Sequence, residues 1–378
     1  MRMDIKAVLK KNTMIFALVL LTLFFAWQTN GAILAPQNIN NLIAQNSYVV
    51  ILAVGMLLCI LTGGNIDLSV GSVVCLIGAI AGKLIVTYHV NIYLTIIICL
   101  GIGILIGAFQ GFWIAFVRIP PFIVTLSGML LWRGIALLVL AGLTISPFPD
   151  HYLALFNNYV TNPKTALVVG IIISVGLVLI MFKNRSDKMK KEYEVGSLAG
   201  EATKLAVIIA VILGISYKLS QYKGLPMILI LLAIIVAVYA YYTSKTVNGR
   251  YYYAVGGNEK AAKLSGINTD MVYFKAYVNM AFLASVAALV CVARFNSAAP
   301  TAGTNYEMDA IGSCFIGGAS AYGGVGTIPG VVIGAIFMGV LNNGMSIMGI
   351  DANWQKAVKG IVLLAAVIFD VVSKRKQK

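Results

Sequence analysis

The sequence predicts an all-α fold, a polytopic membrane bundle of about ten to twelve transmembrane helices that forms a single domain over 1–378. Three observations carry this expectation. The 378 residues are 60% hydrophobic and only 11% charged, whereas soluble proteins are about 25% charged. The apolar residues fall in continuous runs close to the ~20 residues a helix needs to cross a bilayer. They lack the strict alternation of a barrel strand, and lipid cannot hydrogen-bond exposed backbone, so helices are the spanning form left to them. Finally, the basic residues flank the runs. They gather at Arg2, Lys6, Lys10 and Lys11, at Lys183, Arg185, Lys188, Lys190, Lys191 and Lys204, at Lys245, Arg250, Lys260, Lys263 and Lys275, and at Lys374, Arg375, Lys376 and Lys378. This is the positive-inside pattern. The net charge of +15 therefore reads as topology, with membrane lipid and not nucleic acid as its partner.

In chain order, spans are expected near 14–29, 47–63, 69–87, 92–117, 120–142, 165–182, 205–221, 226–243, 272–293, 324–348 and 354–372. The first run follows Lys10 and Lys11 like a signal peptide, but no small-residue cleavage site follows it, so it reads as a retained span. A shorter apolar piece at 309–320 is either a half-helix or a further crossing. The basic stretches 183–204 and 244–271 then fall in the cytoplasm with the N-terminus, and the C-terminus joins them if 309–320 crosses. The segment 30–46 has no Lys or Arg and 143–164 has only Lys164, as outer loops should. Gly103, Gly107 and Gly111, and again Gly326, Gly330 and Gly334, form ridges of the kind that let helix backbones approach closely in lipid, with pore lining as the other reading. Pro120 and Pro121 open one span, where proline is tolerated. GGNIDLSVGSVVCLIGAIAG (63–82) and GGVGTIPGVVIGAIFMG (323–339) look like a loose internal repeat, a common plan among transporters, although shared composition would also produce the match.

Two polar motifs interrupt this apolar chain. In GGNIDLSVGS (63–72), Asn65, Asp67 and Ser69 lie between two spans. A charge at mid-bilayer costs about 2.5–3.5 kcal/mol on insertion scales, so Asp67 is expected at a membrane boundary or facing the protein interior. Three readings stay open for it: an N-cap of the following helix, a gating or interface role, or direct ion coupling. The second motif, AVGGNEKAAKLSGI (254–267), lies in a basic stretch between spans. Asn258 can cap a short helix that Gly266 ends, Glu259 and Lys263 form an (i, i+4) pair, and Ala261, Ala262 and Leu264 offer a small apolar patch. Two alanines bury too little area to anchor a helix in lipid, so docking into a soluble partner is the expectation. A third polar stretch, 292–311, carries Arg294, Asn296, Asn305, Tyr306, Glu307 and Asp309. It reads as a solvated loop leading into a short helix, or as a vestibule.

Little here speaks for chemistry. Cys59, Cys75, Cys99, Cys291 and Cys314 sit in or beside apolar runs without a CxxC or a nearby His at ligand spacing, so they read as packing residues and not as a metal site. The two histidines, His89 and His151, fall near expected outer loops. No phosphate-binding G-x-x-x-x-G-K-[ST] is present; the nearest lookalike, 78–84, has the wrong spacing and lacks the hydroxyl. No catalytic set, metal or cofactor is expected.

NIDLSVGS, AVGGNEKAAKLSGI, APTAGTNYEMDAI, GGASAYGGVGT and LNNGMSIMGI occur in this order along the chain. Together they resemble the permease family of bacterial ABC importers for monosaccharides, and within it most resemble the multiple-monosaccharide or xylose permeases. The resemblance implies a cell-membrane subunit that translocates a pentose or hexose. A second permease subunit would pair with it, most simply as a homodimer. A cytoplasmic ATPase with two fused nucleotide domains would hydrolyse ATP, and an extracytoplasmic protein would deliver the sugar. It makes 254–267 the cytoplasmic coupling loop, with Gly257, Asn258, Glu259, Ala261, Ala262, Leu264, Ser265 and Gly266 meeting the ATPase. It makes 165–221 an apolar insertion relative to the ribose type, and Asn65, Asp67, Ser69, Glu307 and Asp309 gating candidates, the last two also gripping the binding protein. The competing readings are an ion-coupled secondary transporter, which would need ionisable groups near mid-membrane, and an intramembrane enzyme, for which no paired catalytic groups appear.

Overall fold

The computed structural model describes residues 13–160, 162–191, 193 and 198–375. The basic groups at Arg2 to Lys11 and at Lys376 and Lys378, with the expected cytoplasmic chain ends, lie outside the described residues. The helices are α1 (Thr13–Gln28), α2 (Pro36–Leu61), α3 (Val70–Gly82, continued by a π-turn over Lys83–Thr87), α4 (Ile92–Ala115), α5 (Pro121–Leu140), α6 (Asp150–Asn157), α7 (Thr165–Lys190), α8 (Leu198–Ser220), α9 (Met227–Lys245), α10 (Val247–Gly257), α11 (Glu259–Leu264), α12 (Thr269–Phe295), α13 (Tyr306–Ile316), α14 (Ile328–Ile347) and α15 (Ala352–Arg375). Among the described residues, extended pairing is limited to two isolated bridges, Ile145 with Ala298 and Tyr159 with Pro226. Nine helices among the described residues are long and apolar enough to span a membrane: α2 to α5, α7 to α9, α12 and α14. The fold is therefore a polytopic helical membrane protein. The expected spans at 14–29 and 354–372 are also helical, but α1 is described over only 16 residues and α15 carries Lys356, Lys359 and Asp370.

The centre of the bundle is α2 and α12, packed on each other and wrapped by α3, α4, α13 and α14. Both glycine ridges are packing devices. A Cβ added at Gly103 would lie 1.8 Å from Ser285 Oγ, and one at Gly107 2.7 Å from Tyr277 O, so α4 lies directly on α12. Gly334 and Gly330 place α14 equally close to Ser313 O and Gly317 O.

Two passages through the bundle are not continuous helix. After α2 ends, residues 62–69 turn back into the interior and Asp67 N reaches Met56 Sδ at 3.4 Å. That is roughly 7–8 Å up α2 from Leu61 at 1.5 Å per residue, and α3 starts only there. Correspondingly, 296–305 descends along α3 as a non-helical run of turns. Ala298 lies against Gly82, the carbonyls of Ala299 and Pro300 face Cys75, and Gly303 meets Gly71. α13 takes over at Tyr306. With 11 residues it is about 16 Å long, too short to cross, so the passage that began at Asn296 is completed by the turn leading to Gly324. There Gly324 N donates to Leu61 O. The piece expected at 309–320 is thus a half-helix inside a passage built from two kinds of backbone. Gly63 and Gly64 touch Ala321 and Gly323, so the glycine pairs of the suspected repeat face each other at one end of the bundle, beside α10 and α11. This is called the near end below. Met14 faces Gly318 and Asp370 Oδ2 accepts from Ala321 N, which brings both described ends of the chain to the near end.

Helices α7 and α8 stand apart as a hairpin, with only 17% and 12% of their most apolar windows buried. They pair through Gly170, where a Cβ would be 2.3 Å from Ser216 Oγ. At the base of the hairpin Val160 N donates to Leu225 O and Met227 N to Asn158 O, both at 2.9 Å. The ends of the segment are therefore already adjacent. Replacing 163–221 by a short Gly–Ser linker is expected to leave a membrane-inserted, monodisperse protein with a lowered but cooperative melt. Aggregation of the product would show that the hairpin is integral to the core.

Candidate functional site

The loop between α9 and α12 folds into two short helices, each with its own cap. Thr246 Oγ1 accepts from Gly249 N at 3.0 Å to start α10, and Asn258 Oδ1 accepts from Ala261 N at 3.0 Å to start α11, satisfying end donors that the helices cannot. Gly266, at φ +83°, ends α11. Ile267 N reaches back to Ala262 O at 3.1 Å, the hydrogen bond of a left-handed C-terminal cap.

α10 is pressed into the near end. Tyr252 and Val255 are buried, and Tyr253 OH donates to Gly326 O at 3.0 Å. Gly256 sits where a Cβ would be 1.8 Å from Leu61 O and 2.5 Å from Gly324 N. The helix therefore bears on the glycine turns at the near end of both interrupted passages. α11 projects further. Ala262 is 5% exposed and packs inward, whereas Leu264 is 89% exposed. The expected apolar patch of Ala261, Ala262 and Leu264 is thus divided: Ala262 belongs to the core, and the outward surface is Lys260, Ala261, Lys263 and Leu264, with Gly257, Ser265 and Gly266 exposed beside it.

Glu259 does not pair with Lys263 as its spacing suggested. Its Oε1 takes Arg118 Nη1 at 2.7 Å and its Oε2 takes Tyr273 OH at 3.1 Å. Arg118 lies between α4 and α5 and also bonds Asp270 and, at 3.2 Å, Thr269 Oγ1 at the start of α12. One guanidinium thus ties α11 to α12 and to the α4–α5 turn, using the planar donor fork that distinguishes arginine from lysine. Partial burial pushes the Glu259 carboxyl up, but the hydrogen bonds from Arg118 and Tyr273 and the Arg118 charge outweigh it and hold its pKa below the ordinary carboxylate value. The sign follows from linkage: a depressed carboxyl pKa stabilises fully above the unfolded value and loses that contribution as pH falls through the folded one. The brace is therefore complete at neutral pH. Sequence reasoning missed Arg118, although a lone arginine in the short turn FVRIPP was a usable signal.

The inner motif is buried. Asp67, 1% exposed, accepts from Ser69 N at 2.8 Å and Ser69 Oγ at 2.6 Å. This is a side-chain turn of the Asx type that positions the chain just before α3, close to the expected cap and facing the protein interior. Gln110 Nε2 donates to Ser69 Oγ at 2.8 Å, linking α4 to the interruption, and Gln110 was not anticipated. Asn65 is half-buried and its Nδ2 lies 3.2 Å from Thr62 Oγ1.

The third polar stretch is not a solvated vestibule. Arg133 Nη1 donates to Ala302 O at 2.6 Å and Pro300 O at 3.2 Å, supplying the descending segment with hydrogen bonds that a membrane interior cannot. Glu307 is 9% and Asp309 2% exposed, so neither presents a surface for gripping a binding protein. Asp309 pairs with Lys359 of α15 at 2.9 Å and accepts from Tyr48 OH at 3.3 Å, while the Tyr48 and Tyr306 rings stack at 3.9 Å. Asp309→Leu alone strands a largely buried lysine, a loss of about 3–5 kcal/mol for such pairs. The single variant should melt well below the parent and the double variant Asp309→Leu/Lys359→Met should recover most of the loss; equal melting of the two would remove this pair from the account.

His89 and His151 are exposed at the far end, and all five cysteines are buried and unpaired. Among the described residues no three His, Cys, Asp or Glu side chains come together as metal ligands.

Residues 38–367 match the family described as branched-chain amino acid transport system / permease component. The chain is 38% identical over 363 residues to the xylose transport system permease protein XylH of Haemophilus influenzae, covering 96% of each. It is 36% identical to XylH of Escherichia coli K12, covering 96% of this chain and 92% of that one. It is 34% identical over 362 residues to the ribose import permease protein RbsC of the same strain, covering 96% and 94%. No solved structure matches the chain. Its helical bundle, its interrupted passages and its capped, projecting near-end helices are thus those of a transport subunit, and the chain belongs to this family of transport-system permease components.

Proposed function

We propose that this permease imports a monosaccharide, a pentose or a related hexose, as one of two identical copies driven by a separate cytoplasmic ATPase with fused nucleotide domains and supplied by an extracytoplasmic binding protein. The cargo class rests on the xylose and ribose permeases among its relatives. The near end is assigned to the cytoplasm, with both chain termini, because the basic stretches flank it. The observation that carries the mechanism is α11. It is a capped helix with an outward leucine, braced by Arg118 to the bundle and continued inward by α10, which bears on the near ends of both interrupted passages. When the ATPase closes on nucleotide, α11 moves as a rigid handle. The contacts of Gly256 with Leu61 and Gly324 then carry that motion to the chain breaks at 62–69 and 317–327. Breaks in helices are where a passage can change shape without losing a whole hydrogen-bonded span. Asn65, Asp67 and Ser69 act as the hinge of the first passage, and Glu307 together with Asp309, the latter held by Lys359, as the anchor of the second.

The test is reconstitution in liposomes. The chain alone, under an imposed proton or sodium gradient, should accumulate no pentose. With the ATPase and binding protein, uptake should depend on ATP. Gradient-driven uptake by the chain alone would establish an ion-coupled secondary transporter instead.

A further inference from the structure

At the far end, away from α11, a cavity of about 210 Å³ opens between α2, α6, α9 and α12. Asn41, Ser47, Asn157, Tyr159, Lys223 and Arg294 supply its polar lining, and Phe156 and Val290 are part of its apolar wall. No acidic residue lines it. Among the described residues, the ion pairs engage Arg118, Arg185 and Lys359, and neither Lys223 nor Arg294 takes part in one. Lys223 rests over the rings of Tyr159 and Tyr222, at 5.5 and 5.6 Å from their centroids. Arg294 lies 5.8 Å from the Phe295 ring centroid, and its Nε is buried without a hydrogen-bond partner.

Lys223 is itself exposed, whereas Arg294 is half-buried and its Nε is shut away from water without a partner; such a donor is costly, because a buried polar group needs a partner to offset lost hydration. Among the described residues, Asp309 is answered by Lys359, Asp67 by Ser69 and Arg133 by two carbonyls. This recess instead has the composition of an anion site. A guanidinium presents a fork suited to carboxylate or phosphate, an ammonium adds a point charge, and an amide and a hydroxyl add neutral hydrogen-bonding groups. A water occupies about 30 Å³ of liquid, so the space takes a small oxyanion together with a short organic body. We propose that this cavity binds a phosphate or carboxylate group, with Arg294 and Lys223 as its cationic ligands. The group comes either from a small solute or from the headgroup of an anionic lipid.

The full chain, delipidated into neutral-lipid nanodiscs, is melted against inorganic phosphate, with chloride as the control at matched ionic strength. Phosphate should raise the melting temperature beyond chloride. The half-saturating concentration should increase at least about tenfold in Arg294→Gln and in Lys223→Gln, as expected for one lost charge-assisted hydrogen bond, and stay unchanged in the distant Lys188→Gln. A second arm measures phosphatidylglycerol retained through purification by native mass spectrometry. Retention that falls only in Arg294→Gln and Lys223→Gln assigns the anion to a headgroup, and a phosphate effect without such retention assigns it to a solute. Should Arg294→Gln fail to fold, Lys223→Gln carries the comparison. The proposal is overturned if the variants match the parent in both arms, or if a neutral pentose shifts the melt while neither anion does. Neither result depends on whether ATP drives uptake, so the site stands or falls separately from the transport mechanism.

Discussion

Leu264→Asp is expected to abolish ATP-driven uptake, by at least about a hundredfold, while leaving membrane insertion and the melting temperature unchanged. The leucine is 89% exposed, so the folded subunit loses almost no burial when it is replaced. Surface changes away from caps and cores usually fall within about 0.5 kcal/mol. At an interface the same change puts a charge where an apolar anchor should dock, and well-packed anchors carry about 2 kcal/mol or more each. With the two copies per transporter proposed above, the losses would compound, which is why a large effect on uptake is expected. Ala262→Asp gives the contrasting result. Ala262 packs into the core, so a carboxylate there should lower the melting temperature itself. Uptake comparable with the parent in Leu264→Asp would remove this surface from the coupling interface.

Gly71→Ala and Gly303→Ala should each prevent accumulation of folded protein. A Cβ at Gly71 would lie 2.1 Å from Gly303 O and one at Gly303 1.9 Å from Gly71 O, and Gly303 has φ +72°. Both contacts are with backbone, which cannot rotate aside, and the second residue adds the strain of a left-handed conformation that side chains disfavour. Overpacking a tight core costs about 1–3 kcal/mol even where side chains can yield, and here the whole descending segment 298–305 must lift off α3. Gly101→Ala on α4 is the control. Nothing lies within 4 Å of its added Cβ, and alanine is worth up to about 1 kcal/mol over glycine in a helix. Fluorescence-detected size exclusion after expression separates the two classes. A monodisperse Gly71→Ala protein melting near the parent would mean that α3 and the descending segment do not touch as described.

The fold was legible in the sequence where the signal is local. Runs of apolar residues marked the spans, Asn258 and Gly266 marked the ends of α11, and glycines at four-residue spacing marked the close contact of α4 with α12. Legibility failed where a residue's partner lies far along the chain. Glu259 has Lys263 one turn away, but Arg118, 141 residues distant, takes its carboxylate. Glu307 and Asp309 looked like surface acids because hydropathy registers a polar cluster as solvated. Their burial depends on α15 delivering Lys359 and on Arg133 capping the descending carbonyls. Asp67 was read between boundary and interior because no local rule says that the chain after Leu61 turns back inside. Exposure of Ala262 and Leu264 was likewise undetermined, since a helix of six residues is too short for its apolar pattern to define a face.

The central claim, that α11 is the handle by which a separate motor moves this bundle, has a direct test. All five native cysteines are buried, so Leu264→Cys introduces the accessible thiol of the described chain. A short bifunctional maleimide at that thiol, applied to membranes of cells expressing the whole transport system, should capture a nucleotide-hydrolysing subunit. The yield should change when the membranes are incubated with a non-hydrolysable ATP analogue. Capture of no such subunit, with the thiol shown to be labelled, would contradict the account.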